Sequence, residues 1–536
     1  MSTQSPMDPV DSKEQAKVTY DERLSSAEEA TAQDHDLGLL QAIRLYPKGI
    51  FWSVAMSTAL VMEGYDTKLI STLYAQPAFK RTYGVLQPGG DYQIPAAWQA
   101  GLSNGSTTGG IIGLVIAGSV GERFGFRRTV MYGMAAMMPL IFLQFFAPNL
   151  AVLQVSQILL GVPLGVFQTI PMVYALEISP TCLRAHLTTY VNLCWIFGQI
   201  LASGVLRGTL DMQSNLAFRI PFAVQWLWPL ILIPAIYFAP ESPWWLVRKG
   251  RFDDAKNVVQ RLTSPRNTSF NIDKNISLMI VTTEREREVK AATTYAACFT
   301  GTDLRRTVIV VGCYCIQVLS GNPLRAYATY FFQQAGLPTS QAFNMTIVSY
   351  VFGMVGVFIA WALLPVVGRR TLYLCGLLSM VGLFMAIGGF GLPLAKGPNE
   401  SYSWAVGGLL LASSLINNVT VNPVAYALVS EIPSSLLRSK SVVVARATYL
   451  ALTIVAQVIT PYQLNSSAWG WGARAGFFWA GSAFIALAFT YLYIPEPKDR
   501  TTAELDILFE NKVSARHFSK KVVSLTDAAQ TKQQDA

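Results

Sequence analysis

The sequence predicts an all-α membrane protein with twelve transmembrane helices arranged as two six-helix halves. Three observations predict it. The 536 residues are 52% hydrophobic and only 14% charged, against roughly a quarter charged in an average soluble domain. A bilayer, not water, must solvate so apolar a surface. Apolar stretches of about 20 residues, the length that crosses a hydrocarbon core, recur along the chain. Short motifs in the first half also return in the second at nearly one offset, which marks an internal duplication.

The spans are predicted near 50–72, 100–119, 129–147, 151–175, 188–206, 221–239, 307–332, 344–366, 371–392, 403–429, 442–463 and 473–494, numbered one to twelve below. Residues 1–45 carry Asp8, Asp11, Glu14, Asp21, Glu22, Glu28, Glu29, Asp34 and Asp36 and no apolar core. They read as a disordered tail and not as a signal peptide, so span one also acts as the targeting signal. The halves are then 46–239 and 307–494, with a polar linker at 240–306 and a tail at 495–536. Within the linker, amphipathic helices are expected over 252–262 and 280–292.

Charge between the spans sets the orientation. Glu122 to Arg128 joins spans two and three, Arg184 follows span four, Arg369 and Arg370 join spans eight and nine, and Arg438 and Lys440 follow span ten. These groups and the linker lie on one side, which the positive-inside rule places in the cytosol together with both termini. A plasma-membrane location is expected.

The duplication rests on three motifs. Glu177-Ile178 with Leu183-Arg184 returns as Glu431-Ile432 with Leu437-Arg438, Pro240-Glu241 as Pro495-Glu496, and Gly125 to Arg128 as Gly368 to Arg370, at offsets of 254, 255 and 243 residues. A parallel repeat of six-helix halves is a transporter architecture, with its solute site between the halves near the midplane. In span two, Gly101, Gly105, Gly109 and Gly113 form one smooth stripe that lets another helix approach.

Other function classes find little support. The net charge of +9 lies beside apolar spans as topology-setting charge, with no basic-aromatic interleaving of a nucleic-acid surface. Six cysteines show no metal spacing and read as reduced and structural, and three scattered histidines accompany no nucleophile elbow or phosphate loop. No metal, organic cofactor or enzymatic chemistry is expected.

The motif set resembles the sugar porter family of the major facilitator superfamily. It consists of Gly64-Tyr65-Asp66, the Gly118–Arg128 loop, Glu177 with Arg184, Pro240-Glu241-Ser242-Pro243-Trp244-Trp245-Leu246, Gly368-Arg369-Arg370 and Pro495-Glu496-Pro497-Lys498. Within that family Glu63-Gly64-Tyr65-Asp66-Thr67, Tyr327 to Phe332, Ser430 to Ser435 and the Pro495–Phe518 tail look like the fungal maltose/α-glucoside permease branch. The resemblance implies a major facilitator fold and proton-coupled uptake of an α-glucoside by alternating access. The proton is the coupling ion, a small sugar and the bilayer are the partners, and the working unit is a monomer. Two alternatives stand beside it: a carrier of another solute (a hexose, polyol, oligosaccharide or secondary metabolite) and a non-transporting sugar sensor, against which the short C-terminal tail speaks.

Three constellations are candidates for the work. Glu63 and Asp66 are three residues apart on one face of span one. Carboxylates inside a membrane are costly and usually face a cavity, so these are the expected proton-coupling groups; the bland reading is interhelical bonding. Proton-coupled hexose members pair this aspartate with an arginine in span four, where this chain has Gln157, so either coupling runs differently, through Glu63 or Arg446, or coupling is weak. Motif mapping puts the sugar site at Gln199, Gln317, Asn192, Asn322, Tyr327, Tyr426 and Tyr449. Val318 and Pro323 replace two polar groups of the hexose set, and the tyrosines suit a disaccharide platform; Arg325 is an oddity that would favour an anionic or decorated solute. The cytosolic charges Glu122, Arg127, Arg128, Glu177, Arg184 and Glu241, with Arg369, Arg370, Glu431, Arg438 and Glu496, form the expected gating network. Pro365 stands where an acidic residue usually precedes Gly-Arg-Arg, so the C-half network should be the weaker. Among the Asn-x-Ser/Thr sequons, Asn399 and Asn465 are the expected glycan acceptors.

Overall fold

The computed structural model describes residues 25, 29 and 39–518, except 88–89, 180, 265–270, 293, 365, 398, 435–436, 499, 501 and 512. Each predicted span is present. Span one is the kinked pair Pro47–Ser57 and Ala59–Leu73; spans two to five are Ala96–Phe124, Phe126–Phe145, Leu150–Ile178 and Thr181–Gly208; span six is Leu216–Val224 with Leu227–Tyr237. Span seven is Gly301–Leu319, Asn322–Ala326 and Ala328–Gln334; spans eight and nine are Thr339–Leu363 and Arg369–Leu394. Span ten is Glu400–Ile416, a π-helical turn Asn417–Val421, and Asn422–Glu431; spans eleven and twelve are Arg438–Leu464 and Ala475–Tyr493. By length and composition alone, seven helices among the described residues are long and apolar enough to cross a membrane. Of the other five, span one carries Glu63, Asp66 and Lys68, and span seven is interrupted.

The interruptions follow from sequence. In span seven Gly321 takes φ +80, a left-handed conformation that only glycine adopts cheaply, and Pro323 at the start of the next short helix has no amide to donate. The π turn of span ten ends at Asn422-Pro423, where proline again removes a helical donor.

Glycines let the spans cross closely. A Cβ on Gly109 or Gly113 would run into the carbonyls of Ile158 and Val162, and one on Gly161 or Gly165 into those of Ser106 and Gly110. The stripe on span two therefore meets a second pair of glycines on span four. Gly64 and Gly198 do the same for spans one and five, against Trp195 and Val61.

The duplication is physical as well as textual. Glu241 Oε1 accepts from the amides of Phe126 (2.9 Å), Arg127 (3.3 Å) and Ser242 (3.1 Å), so the carboxylate after span six caps the start of span three. Glu496 caps span nine in the same way, accepting from the amides of Arg369 (2.9 Å) and Arg370 (3.0 Å). A negative charge belongs at a helix N-terminus, where free amides and the helix dipole converge. Burial pushes the Glu241 carboxyl above its ordinary value, opposed by those same amides.

Flanking segments extend the folded region beyond the expected boundaries. The helix Leu39–Leu45 precedes span one, with Ala42 and Leu45 buried. The linker helices are Phe252–Leu262, as expected, and Ile272–Ala292, which starts earlier than expected. Past span twelve, Thr502–Glu510 buries Leu505, Leu508 and Phe509, and Phe518 is buried beyond it. Part of the expected tail is thus packed onto the C-half. A two-stranded hairpin, Val85–Leu86 with Tyr92–Gln93, lies between spans one and two.

Candidate functional site

Span one brings its carboxylates to the interior. Asp66 is 1% and Glu63 5% exposed. Asp66 Oδ1 accepts from Gln225 Nε2 of span six at 3.0 Å, while Oδ2 is buried without a hydrogen-bond partner. Among the described residues no lysine or arginine pairs with Asp66. Gln157, at the position expected to lack an arginine, is fully buried with neither amide atom bonded. Glu63 Oε1 instead accepts from Gln168 Nε2 of span four at 2.8 Å, and Gln168 Oε1 accepts from Arg446 Nη2 of span eleven at 3.3 Å. A carboxylate of one half is therefore joined to a guanidinium of the other through one amide.

Arg446 sits in an aromatic cage. Its guanidinium lies 4.9 Å from the Tyr449 ring centroid and 5.8 Å from that of Tyr314. Tyr314 packs against Tyr449 at 5.8 Å and edge-on against Tyr426 at 6.3 Å. Cation–π contact holds the guanidinium flat and keeps its N–H groups in the ring plane free to bond elsewhere. Tyr426 of span ten is 48% exposed. Gln317 of span seven is buried with its Nε2 unbonded. Aromatic faces, a guanidinium, and amides that both donate and accept form a lining suited to a polyhydroxylated solute.

The other expected site residues are placed differently. Tyr327 is 1% exposed and does not line the cage: its hydroxyl donates to Ser103 Oγ at 2.7 Å, and its ring stacks on Tyr74. It joins the two halves. Gln199 is buried and Asn322 half-buried at the span-seven break; the Asn192 side chain lies outside the described residues. Asn465 is a correction. It is fully buried, its Nδ2 donates to Ile94 O at 2.8 Å, and it is closed to a glycan because the Asn465 turn packs under the span-two entrance. Asn399 is exposed and caps span ten through its Oδ1.

Further contacts join the halves on the side away from the linker. Lys68 Nζ donates to Ala326 O (2.8 Å), Lys80 Nζ to Gln333 Oε1 (3.0 Å), Gln333 Nε2 to Ala75 O (2.8 Å) and Thr107 Oγ1 to Gln457 Oε1 (3.0 Å). The end away from the linker is closed. At the end that carries the linker, the ion pairs among the described residues stay within one half. Arg248 reaches Glu122 at 3.0 Å and Glu177 at 2.9 Å, and Ser242 Oγ also donates to Glu177. In the C-half Arg369 pairs with Glu431 at 3.2 Å. Arg127 bonds the Ala239 carbonyl, and Arg370 the Tyr491 carbonyl. Arg128 and Arg438 are exposed; the Arg184 side chain and Pro365 lie outside the described residues.

Sequence reasoning did not single out Arg248, Gln168, Gln225 or Lys68. Lys68 had a signal, as a third charge in span one. The amides had none, because glutamine is common in packed helices and acquires meaning only from its partner.

A family model described as sugar (and other) transporter matches residues 52–509. The general alpha-glucoside permease of Saccharomyces cerevisiae is 40% identical over 503 residues, 93% of this chain and 81% of that protein. The maltose permease MAL31 of the same yeast is 38% identical over 531 residues, 97% and 85% of the two chains. The xylose transporter XylE from E. coli, in a partially occluded inward open conformation, superposes with a TM-score of 0.69 at 18% identity, covering 84% of this chain and 99% of that one. That likeness speaks for the fold. The chain is a multi-pass membrane transporter with the major facilitator fold, no enzyme, and belongs to the sugar transporter family.

Proposed function

We propose that the protein imports an α-glucoside of maltose type together with a proton, by alternating access, as a plasma-membrane monomer with both termini in the cytosol. The observation that carries this is the cage of Tyr314, Tyr426 and Tyr449 around Arg446, tied through Gln168 to Glu63 of the other half. Tyrosine faces match the C–H faces of successive sugar rings, and Gln317 and Gln199 supply bonds to hydroxyls. Asp66 and Glu63 are the proton carriers: both are buried in the membrane interior, and their amide partners neutralise neither. The likeness to permeases named for α-glucosides and maltose supports the substrate class.

Two roles are assigned to the rest of the machinery. The cytosolic carboxylates and arginines form a gate whose ion pairs and helix caps hold each half rigid while the halves rock. Asn399 is the proposed glycan acceptor.

The test is uptake of labelled maltose in a host lacking its own carriers, at acidic and neutral external pH, beside Asp66→Asn. Acid-stimulated uptake that falls at least tenfold in the variant is expected. A surface-expressed protein that takes up no maltose overturns the substrate class; uptake indifferent to pH overturns the symport.

A further inference from the structure

Gln168 stands between the proton site and the solute cage. Its Nε2 donates to Glu63 Oε1 and its Oε1 accepts from Arg446 Nη2. Chemistry fixes that orientation: an ionised carboxylate only accepts, and a guanidinium only donates. The bridge is therefore polarised along its length, negative at span one and positive at span eleven, and both of its bonds are charge-assisted.

We propose that Gln168 is the positioning residue that reports the protonation of Glu63 to Arg446, so that a proton on Glu63 frees the guanidinium to bind the sugar. The inference rests on the symport reading above. Its steps are elementary. A proton from external water adds to Glu63 and removes the negative end of the bridge. The new O–H is a donor, and the Gln168 amide oxygen is the acceptor Arg446 has been using. The two lone pairs of that oxygen are then shared between two donors, and the bond from Nε2 to a neutral carboxyl has lost its charge assistance, roughly half its strength, so the hold on Arg446 weakens. Arg446 is released toward the cage, where Tyr449 and Tyr314 already hold its plane. Proton binding thus precedes and strengthens sugar binding. When the halves part on the cytosolic side, loss of the proton to cytosolic water restores the bridge and withdraws Arg446 from the sugar.

The surroundings leave Gln168 as the link. The charged or titratable groups facing Glu63 are Asp66, one turn along its own helix, and Arg446; span five presents the Trp195 indole, which does not titrate. Facing Arg446 are Tyr314 from span seven, Tyr426 from span ten and Tyr449 from its own helix, with Glu63 across the interface.

The test compares the full chain in liposomes with Gln168→Leu, which removes both ends of the amide at similar size. In the wild type the KM for maltose is expected to fall about tenfold from neutral to acidic external pH. In Gln168→Leu it should change less than twofold, while maltose exchange at equal pH on both sides, which needs binding and rocking but no net proton movement, persists. A variant with the wild-type pH profile of KM overturns the inference. A second arm uses no sugar. Infrared difference spectra between acidic and neutral pH should show a carboxyl band that Glu63→Gln lacks and that Gln168→Leu displaces. An undisplaced band overturns the bridge whatever the solute proves to be, and a displaced band in a protein that carries no maltose supports the bridge while sinking the α-glucoside reading.

Discussion

Tyr426 is the residue whose chemistry is easiest to isolate. Its ring meets Tyr314 edge-on and its hydroxyl is engaged by Arg446, so the aromatic face and not the hydroxyl should serve the sugar. An aromatic contact contributes about 0.5–1.5 kcal/mol, and about 1.4 kcal/mol is tenfold in affinity. Tyr426→Ala is therefore expected to raise the KM for maltose about two- to tenfold and Tyr426→Phe less than twofold, measured as concentration dependence of initial uptake. A phenylalanine variant as impaired as the alanine would assign the work to the hydroxyl. At this scale the sequence was partly legible. Tyr426 and Tyr449 could be placed by motif because each sits at a fixed distance from a recognisable charge motif. Tyr327 could not: its role depends on Tyr74 and Ser103 of the other half, and nothing local records that encounter. Asn465 failed for a related reason, since a sequon describes three residues and burial is decided by the whole packing.

At the scale of elements, hydropathy located all twelve spans because a bilayer imposes length and composition together. It could not show the breaks in spans seven and ten, which glycine and proline set, nor the packed helix Thr502–Glu510, where tertiary contacts decide. The paired caps show what repeated motifs are for. Gly125 and Gly368 each leave room for a carboxylate, and a Cβ at either would overlap Glu241 or Glu496. Gly125 also holds φ +91, whereas Gly368 has φ −62. Alanine at either position displaces the cap, at about 1–3 kcal/mol for overpacking. Only at Gly125 does the left-handed backbone add about 1–2 kcal/mol. Both variants should melt below the wild type in detergent, Gly125→Ala the lower of the two. Equal melting temperatures would show that the capping contact alone, and not the backbone, requires glycine there.

For the whole molecule, the two-fold repeat could be read from motif offsets, but the conformation could not. One sequence must encode both an outward- and an inward-facing arrangement, and their difference lies in which polar groups meet across the halves. Here they meet on the side away from the linker, through Lys68, Lys80, Gln333, Thr107 and Tyr327. Lys80 makes that closure sensitive to pH. Burial, partly countered by Asp91, lowers its pKa from the usual 10.5 to about 8 in the closed arrangement. Opening returns the ammonium to water and its pKa toward the usual value. Between these two values the open state binds more protons than the closed one, so closure strengthens as external pH rises through that window. Below about 8 both states hold the proton, the closed state bears the full cost of burying the charge, and the dependence vanishes. Distances between spin labels at the extracellular ends of spans two and eleven should therefore shift toward the short, closed population as pH is raised from neutral into that window. Lys80→Met should flatten the response, since it keeps the apolar stem and has no proton to bind. A wild-type distribution indifferent to alkaline pH would mean that Lys80 stays hydrated through closure, and that the extracellular end is held by its uncharged bonds instead.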